Sequence, residues 1–137
     1  MELRFENSYV DSSLFNRVNG FLNQLDGETR YIVPRVDVTE DKDAYHFYFE
    51  MPGLKTESVD ARVEDGQLMV AAERTRPESR QDTKVRVAER GYGAIRRAFE
   101  LPNDASPEKI KAVYKDGMLE VTVEKKAESK STKIQIN

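Results

Sequence analysis

Two stretches of this 137-residue chain set an Asp-Gly pair at the centre of alternating apolar residues: RVEDGQLMVAAE and VYKDGMLEVTVE. A type I′ turn needs positive φ at both central residues, which Asp-Gly tolerates, and its twist suits a two-residue hairpin. With Asp65-Gly66 as one such turn, Val63 faces Leu68, Ala61 faces Val70 and Val59 faces Ala72. With Asp116-Gly117 as the other, Tyr114 faces Leu119, Ala112 faces Val121 and Ile110 faces Val123. Directly opposed residues share one side of a sheet, so each hairpin gains an apolar face with no further adjustment. A slip of one residue would scramble both faces, which makes the register strongly specified. Two such hairpins laid face to face would form the centre of a sandwich.

The flanking sequence reads the same way. AYHFYFEM places Tyr45, Phe47, Phe49 and Met51 on one side, and IRRAFEL alternates too. Pro-Gly, Asp-Gly and Gly-Tyr-Gly punctuate the runs. Short alternating strands without helices between them indicate an all-β fold, an antiparallel sandwich. Three zones follow: an N-terminal arm over 1–33, the sandwich over 34–124 and a polar tail over 125–137. The arm contains Leu14, Phe15, Val18, Phe21, Leu22 and Leu25 at helical spacing, a stripe that needs a surface to cover it. Inside the sandwich zone, TRPESRQDTKVRVAERGYG is a long polar insertion in which Val85-Arg86-Val87-Ala88 reads as a short strand with few apolar neighbours. Its pairing partner is expected on an edge elsewhere, including that of another chain. The tail closes on Lys133-Ile134-Gln135-Ile136-Asn137. Two isoleucines spaced by two belong in a pocket that so polar a tail does not itself supply.

Composition excludes several functions. The charged share is 34%, the formal net charge is −3 and no basic stripe runs along the chain, which argues against nucleic acid as a partner. The absence of cysteine rules out a disulfide framework and thiolate metal sites. No apolar run reaches the length of a membrane span, and MELRFENSYV lacks a signal-peptide core, so a cytoplasmic protein is expected. An enzyme is not expected. The single histidine, His46, lies opposite in parity to the Tyr45/Phe47 face and reads as solvent-facing rather than metal-ligating. Gly91-Tyr92-Gly93 has arginine, Arg96, where a dinucleotide loop needs its third glycine, and a strand rather than a helix follows. Asp37, Glu40, Asp41 and Asp43 lack the glycine of a calcium loop. No cofactor or metal is expected.

The second hairpin, AVYKDGML, resembles the signature of the small heat-shock proteins, with Ala112, Asp116, Gly117 and Leu119 at the matching positions. MPGLKTESVDARVEDGQL is similar to the Pro-Gly strand and hairpin of that family. ERGYGAIRRAFELP is similar to its stretch before the signature, with Arg97 at the usual arginine and Ile95 where phenylalanine is frequent. Ile134-Gln135-Ile136 is similar to its Ile-x-Ile tail. The four segments occur in family order from about Arg35 to Asn137, whereas 1–33 carries no family motif.

The resemblance implies an α-crystallin domain, which is an immunoglobulin-like antiparallel β-sandwich, and an ATP-independent chaperone that holds unfolding proteins, assembling through homodimers into a larger homo-oligomer. It implies that the strand Val85, Arg86, Val87, Ala88 adds to the edge bearing Val36 and Val38 of another subunit, as in bacterial, archaeal or plant members. It implies that Ile134 and Ile136 fill a groove on a neighbouring dimer between strands bearing Val59, Ala61, Val63 and Ile110, Ala112, Tyr114. Client proteins would meet the arm through Phe5, Leu14, Phe15, Val18, Phe21, Leu22 and Leu25. The rival reading is a sandwich adaptor similar to the CS-domain co-chaperones, serving one protein partner; such adaptors usually lack the inserted strand and the Ile-x-Ile tail.

Overall fold

A computed structural model describes residues 31–78, 80–127 and 134–137. Among the described residues seven strands follow one another: β1 (Val36–Glu40), β2 (Ala44–Glu50), β3 (Val59–Glu64), β4 (Gln67–Arg74), β5 (Gly93–Glu100), β6 (Ala105–Lys115) and β7 (Met118–Lys125). A 3-10 turn, Thr56–Ser58, leads into β3. The strands form two antiparallel sheets, one in the order β1-β2-β7-β6 and one in the order β3-β4-β5. The architecture is the all-β sandwich expected from the sequence. The amphipathic arm stripe, including Phe5, Leu14, Phe15, Val18, Phe21, Leu22 and Leu25, lies outside the described residues.

Both Asp-Gly turns form as read. Asp65 and Gly66 have φ of 52° and 75°, and Asp116 and Gly117 have φ of 54° and 76°. The β3–β4 ladder pairs Val63 with Leu68, Ala61 with Val70 and Val59 with Ala72. The β6–β7 ladder pairs Tyr114 with Leu119, Ala112 with Val121 and Ile110 with Val123. The two hairpins fall in different sheets and bury their apolar faces in one shared core. Phe47 and Phe49 of β2 stack at 6.2 Å, and Phe99 of β5 tilts against both from the other sheet. Each fully buried side chain of this size contributes roughly 1.5–3 kcal/mol.

Three features depart from the sequence reading. Strand β6 begins at Ala105, earlier than the apolar alternation indicates, because a register shift between Ala105 and Ile110 absorbs Ser106 to Lys109. Pro107 lies within that shift, and proline without an N–H is accommodated on an edge strand such as β6. Ile32, placed by sequence in the arm, forms a parallel bridge with Ile95: its N–H donates to Ala94 O at 2.8 Å, and its carbonyl accepts from Arg96 N at 2.9 Å. The sandwich therefore takes hold of the chain before Pro34. The expected strand Val85–Ala88 pairs with no strand among the described residues; the nearest main-chain bond is a turn, Thr83 N to Arg80 O at 3.0 Å.

Candidate functional site

The signature hairpin is fixed from outside its own ladder. The Met51 N–H donates to Gly117 O at 2.9 Å, and the Tyr114 hydroxyl donates to Met51 O at 2.6 Å. A Cβ on Gly117 would meet Pro52 Cβ at 3.2 Å and Pro52 Cα at 3.3 Å. Glycine is therefore required here twice, by the left-handed φ and by the close approach of Pro52. Ala112 and Leu119, the apolar signature residues, are fully buried.

The sheet β1-β2-β7-β6 ends at β1 on one side. Arg35 O accepts from Glu50 N at 2.9 Å, and Asp41 N donates to Ala44 O at 3.0 Å. Because bonded and non-bonded pairs alternate along an antiparallel ladder, Arg35, Asp37, Thr39 and Asp41 direct their main-chain groups to β2. Val36, Val38 and Glu40 then direct theirs away from the sheet, along an open edge. Val36 and Val38 pair with Phe49 and Phe47 and so share the core-facing side, yet Val38 is 47% exposed. Beside the start of β1, a recess of about 430 Å³ is lined by Arg35, Asp37, Glu50 and Arg97 among others. The Arg97 guanidinium donates to Pro34 O at 3.0 Å and lies over the Phe99 ring, bracing the approach to β1 from β5.

β3 and β6 are likewise edges, one of each sheet. Of the residues expected to line a groove there, Val59, Ala61, Ala112 and Tyr114 are buried in the domain's own core. Val63 and Ile110 are half-buried and packed against it, which makes them the accessible part of that set. The other apolar groups of interest are exposed: Val85 at 63%, Val87 at 72%, Ile134 at 82% and Ile136 at 92%.

The outer face of β2 carries a small polar network that the sequence did not reveal. His46 is on that outer face, half-buried, with Nε2 at 2.8 Å from Asp41 Oδ2 and Nδ1 at 3.3 Å from the Thr122 hydroxyl. Asp41 also accepts from the N–H groups of Asp43 at 2.7 Å and Ala44 at 2.8 Å. The Asp43 N–H, followed by the His46 bond, pulls the Asp41 carboxyl down to about 2. The Asp41 carboxylate thus closes a turn. Among the described residues no group of three or more His, Cys, Asp or Glu is placed to hold a metal. Among them, too, no helix is long and apolar enough to cross a membrane. At the same end of β2, on its core-facing side, the Tyr45 hydroxyl donates to Asp104 at 2.6 Å, and that bond raises its pKa to about 12.

Fold and surfaces together define a β-sandwich with open strand edges and exposed apolar segments outside its core. The Hsp20/alpha crystallin family matches residues 37–137, and the chain belongs to that family. It is 30% identical over 133 residues to small heat shock protein C4 of Rickettsia felis, covering 95% of this chain and 82% of that one. It is 44% identical over 89 residues to a 17.0 kDa class II heat shock protein of Zea mays, of whose length it spans 58%. Among solved structures, a small heat-shock protein from Xylella fastidiosa superimposes with a TM-score of 0.67 at 30% identity, covering 79% of this chain and 99% of that one. The family supports a chaperone role in stress. The relatives are heat-shock proteins rather than enzymes.

Proposed function

We propose that this protein is an ATP-independent holdase that binds partly unfolded proteins and keeps them from aggregating. It works in the cytoplasm, from a dynamic oligomer built of strand-exchanged dimers. The observation that carries the reading is an apolar strand sequence and an open edge in one chain that do not meet each other. Val85 and Val87 are exposed, and β1 offers unpaired main-chain groups beside the exposed Val38. A second copy joins the two by strand addition, in which main-chain bonds give affinity and alternate side chains give specificity. Val85 and Val87 then continue the side held by Val36 and Val38.

The exposed Ile134 and Ile136 link such dimers, entering between the β3 and β6 edges near Val63 and Ile110. Burying one isoleucine contributes about 1.5–3 kcal/mol. Ordering each tail residue costs about 1–2 kcal/mol, so the net for one tail is small. Assembly rests on many weak links, and such an oligomer sheds and regains dimers readily. Heat loosens those links and frees the arm. Its stripe of Leu14, Phe15, Val18, Phe21, Leu22 and Leu25, with Phe5, covers exposed apolar surface on clients without demanding a sequence.

The test is native mass measured across a temperature ramp with a heat-labile client present. The Ile134→Ala, Ile136→Ala double variant is expected to fall from large species to dimers, and a chain lacking residues 1–31 to stay folded while losing client protection. Unchanged mass in the first, or full protection in the second, would refute the reading. A small, monodisperse parent protein would favour the single-partner adaptor instead.

A further inference from the structure

The loop joining β4 to β5 is the basic part of an acidic protein. From Arg74 to Arg90 it carries six arginine or lysine residues against three acidic ones, in a chain of formal net charge −3. Three of its arginines converge where the loop leaves and rejoins the sandwich. Arg76 lies over the Tyr92 ring at 4.7 Å, and Arg90 lies 5.5 Å from the same ring centre. Arg90 Nη1 also donates to the Tyr92 hydroxyl at 3.2 Å. Arg74 sits behind them as a brace, donating from Nε and Nη2 to Pro52 O and from Nη1 to Gly91 O.

Among the described residues, no carboxylate forms an ion pair with any of these three guanidinium groups. Like charges gathered on one half-buried ring repel one another unless an anion joins them. Tyr92 gathers both guanidinium groups at one place on the surface, where Arg76 and Arg90 are exposed and each carries a planar fork of N–H donors. That fork geometry matches phosphate oxygens bidentately. One carboxylate would satisfy one arginine; two guanidinium groups served by a single ring suit a ligand with linked charges.

We propose that Arg76 and Arg90, held by Tyr92, form a binding site for an anion of linked phosphate groups at the root of this loop. The ligand would bridge the loop's first and last turns, because Arg76 lies at its start and Arg90 at its end. Bound there, it narrows the range of positions open to Val85 and Val87. The chemistry is the same whether the phosphates arrive as an inorganic chain or on a nucleoside, and no hydrolysis is involved. The site goes beyond the chaperone reading and does not depend on it.

Calorimetric titration of the full chain with inorganic tripolyphosphate, and separately with ATP, tests the proposal. Saturable binding is expected at moderate salt. It should weaken at least about tenfold in the Arg76→Gln, Arg90→Gln double variant. The Lys84→Gln, Arg86→Gln variant removes the same charge from the same loop and should weaken binding less than about threefold, after allowing for the salt-dependent general attraction. Arg74 is left intact, so the bonds to Pro52 and Gly91 remain. Similar affinities for the two ligands identify the phosphate chain as the recognised group, whereas markedly tighter ATP binding identifies a nucleoside source. Equal weakening in the two double variants, or no saturable binding, would overturn the proposal.

Discussion

The signature hairpin and the β4–β5 loop are written in the same alternation and end in opposite environments. Leu119, Val121 and Val123 are fully buried, whereas Val85 and Val87 stand in solvent. The difference lies in what else holds each segment. The hairpin is clamped by Met51 and Pro52 and covered by the second sheet. The loop is braced at its root, by Arg74 and Tyr92, and among the described residues no strand lies alongside it. Alternation thus specifies that a strand will have an apolar side. It does not specify which molecule covers that side.

The contrast can be broken most decisively by truncation. Leu119→Ala should lower the unfolding free energy by about 2–5 kcal/mol in denaturant titration. Val85→Ser with Val87→Ser should change it by less than about 0.5 kcal/mol at concentrations low enough to keep copies apart. A large loss in the loop variant would mean that the domain itself buries those valines. The two turns sharpen the comparison at smaller scale. Gly66 and Gly117 have nearly equal φ, but open space surrounds Gly66 while Pro52 crowds Gly117. Gly66→Ala should cost about 1–2 kcal/mol, the left-handed backbone term alone. Gly117→Ala should cost measurably more, and equal losses would show that Pro52 gives way freely.

The smallest effect concerns Asp41. Its folded pKa is depressed, so the stability it contributes is present above 3.8 and is lost as pH falls through about 2. Asp41→Asn should therefore be less stable than the parent at neutral pH, and the gap should close between those two values in an acid titration. His46 faces the same carboxylate. A gap that persists under more acidic conditions would assign the effect to turn geometry rather than charge.

Legibility in the sequence followed the reach of the interactions. The two hairpins were readable to the residue, because an Asp-Gly turn fixes register within a dozen positions. The parallel bridge from Ile32 to Ile95 was not, since contacts across more than sixty residues leave no local period. The same holds for Arg97 reaching Pro34 O and for Tyr45 meeting Asp104. His46 was read from parity alone; parity gives the face correctly but not the neighbours, Asp41 and Thr122, that fill it. The arginines around Tyr92 were hidden for a related reason. A loop that returns to its origin brings its two ends together, and one-dimensional spacing records that as distance.

The sandwich also fixes the point from which the C-terminal segment is paid out. Lys126 N donates to Asp104 O at 2.7 Å and Lys125 N donates to Asp43 O at 2.8 Å, so the tether starts from a pinned post at the end of β7. From Lys126 to Ile134 the chain can span at most about 26–29 Å, even fully drawn out. That radius is a ruler for any assembly: a receptor site for Ile134 must open inside a sphere of that size, which limits how far apart neighbouring copies can stand.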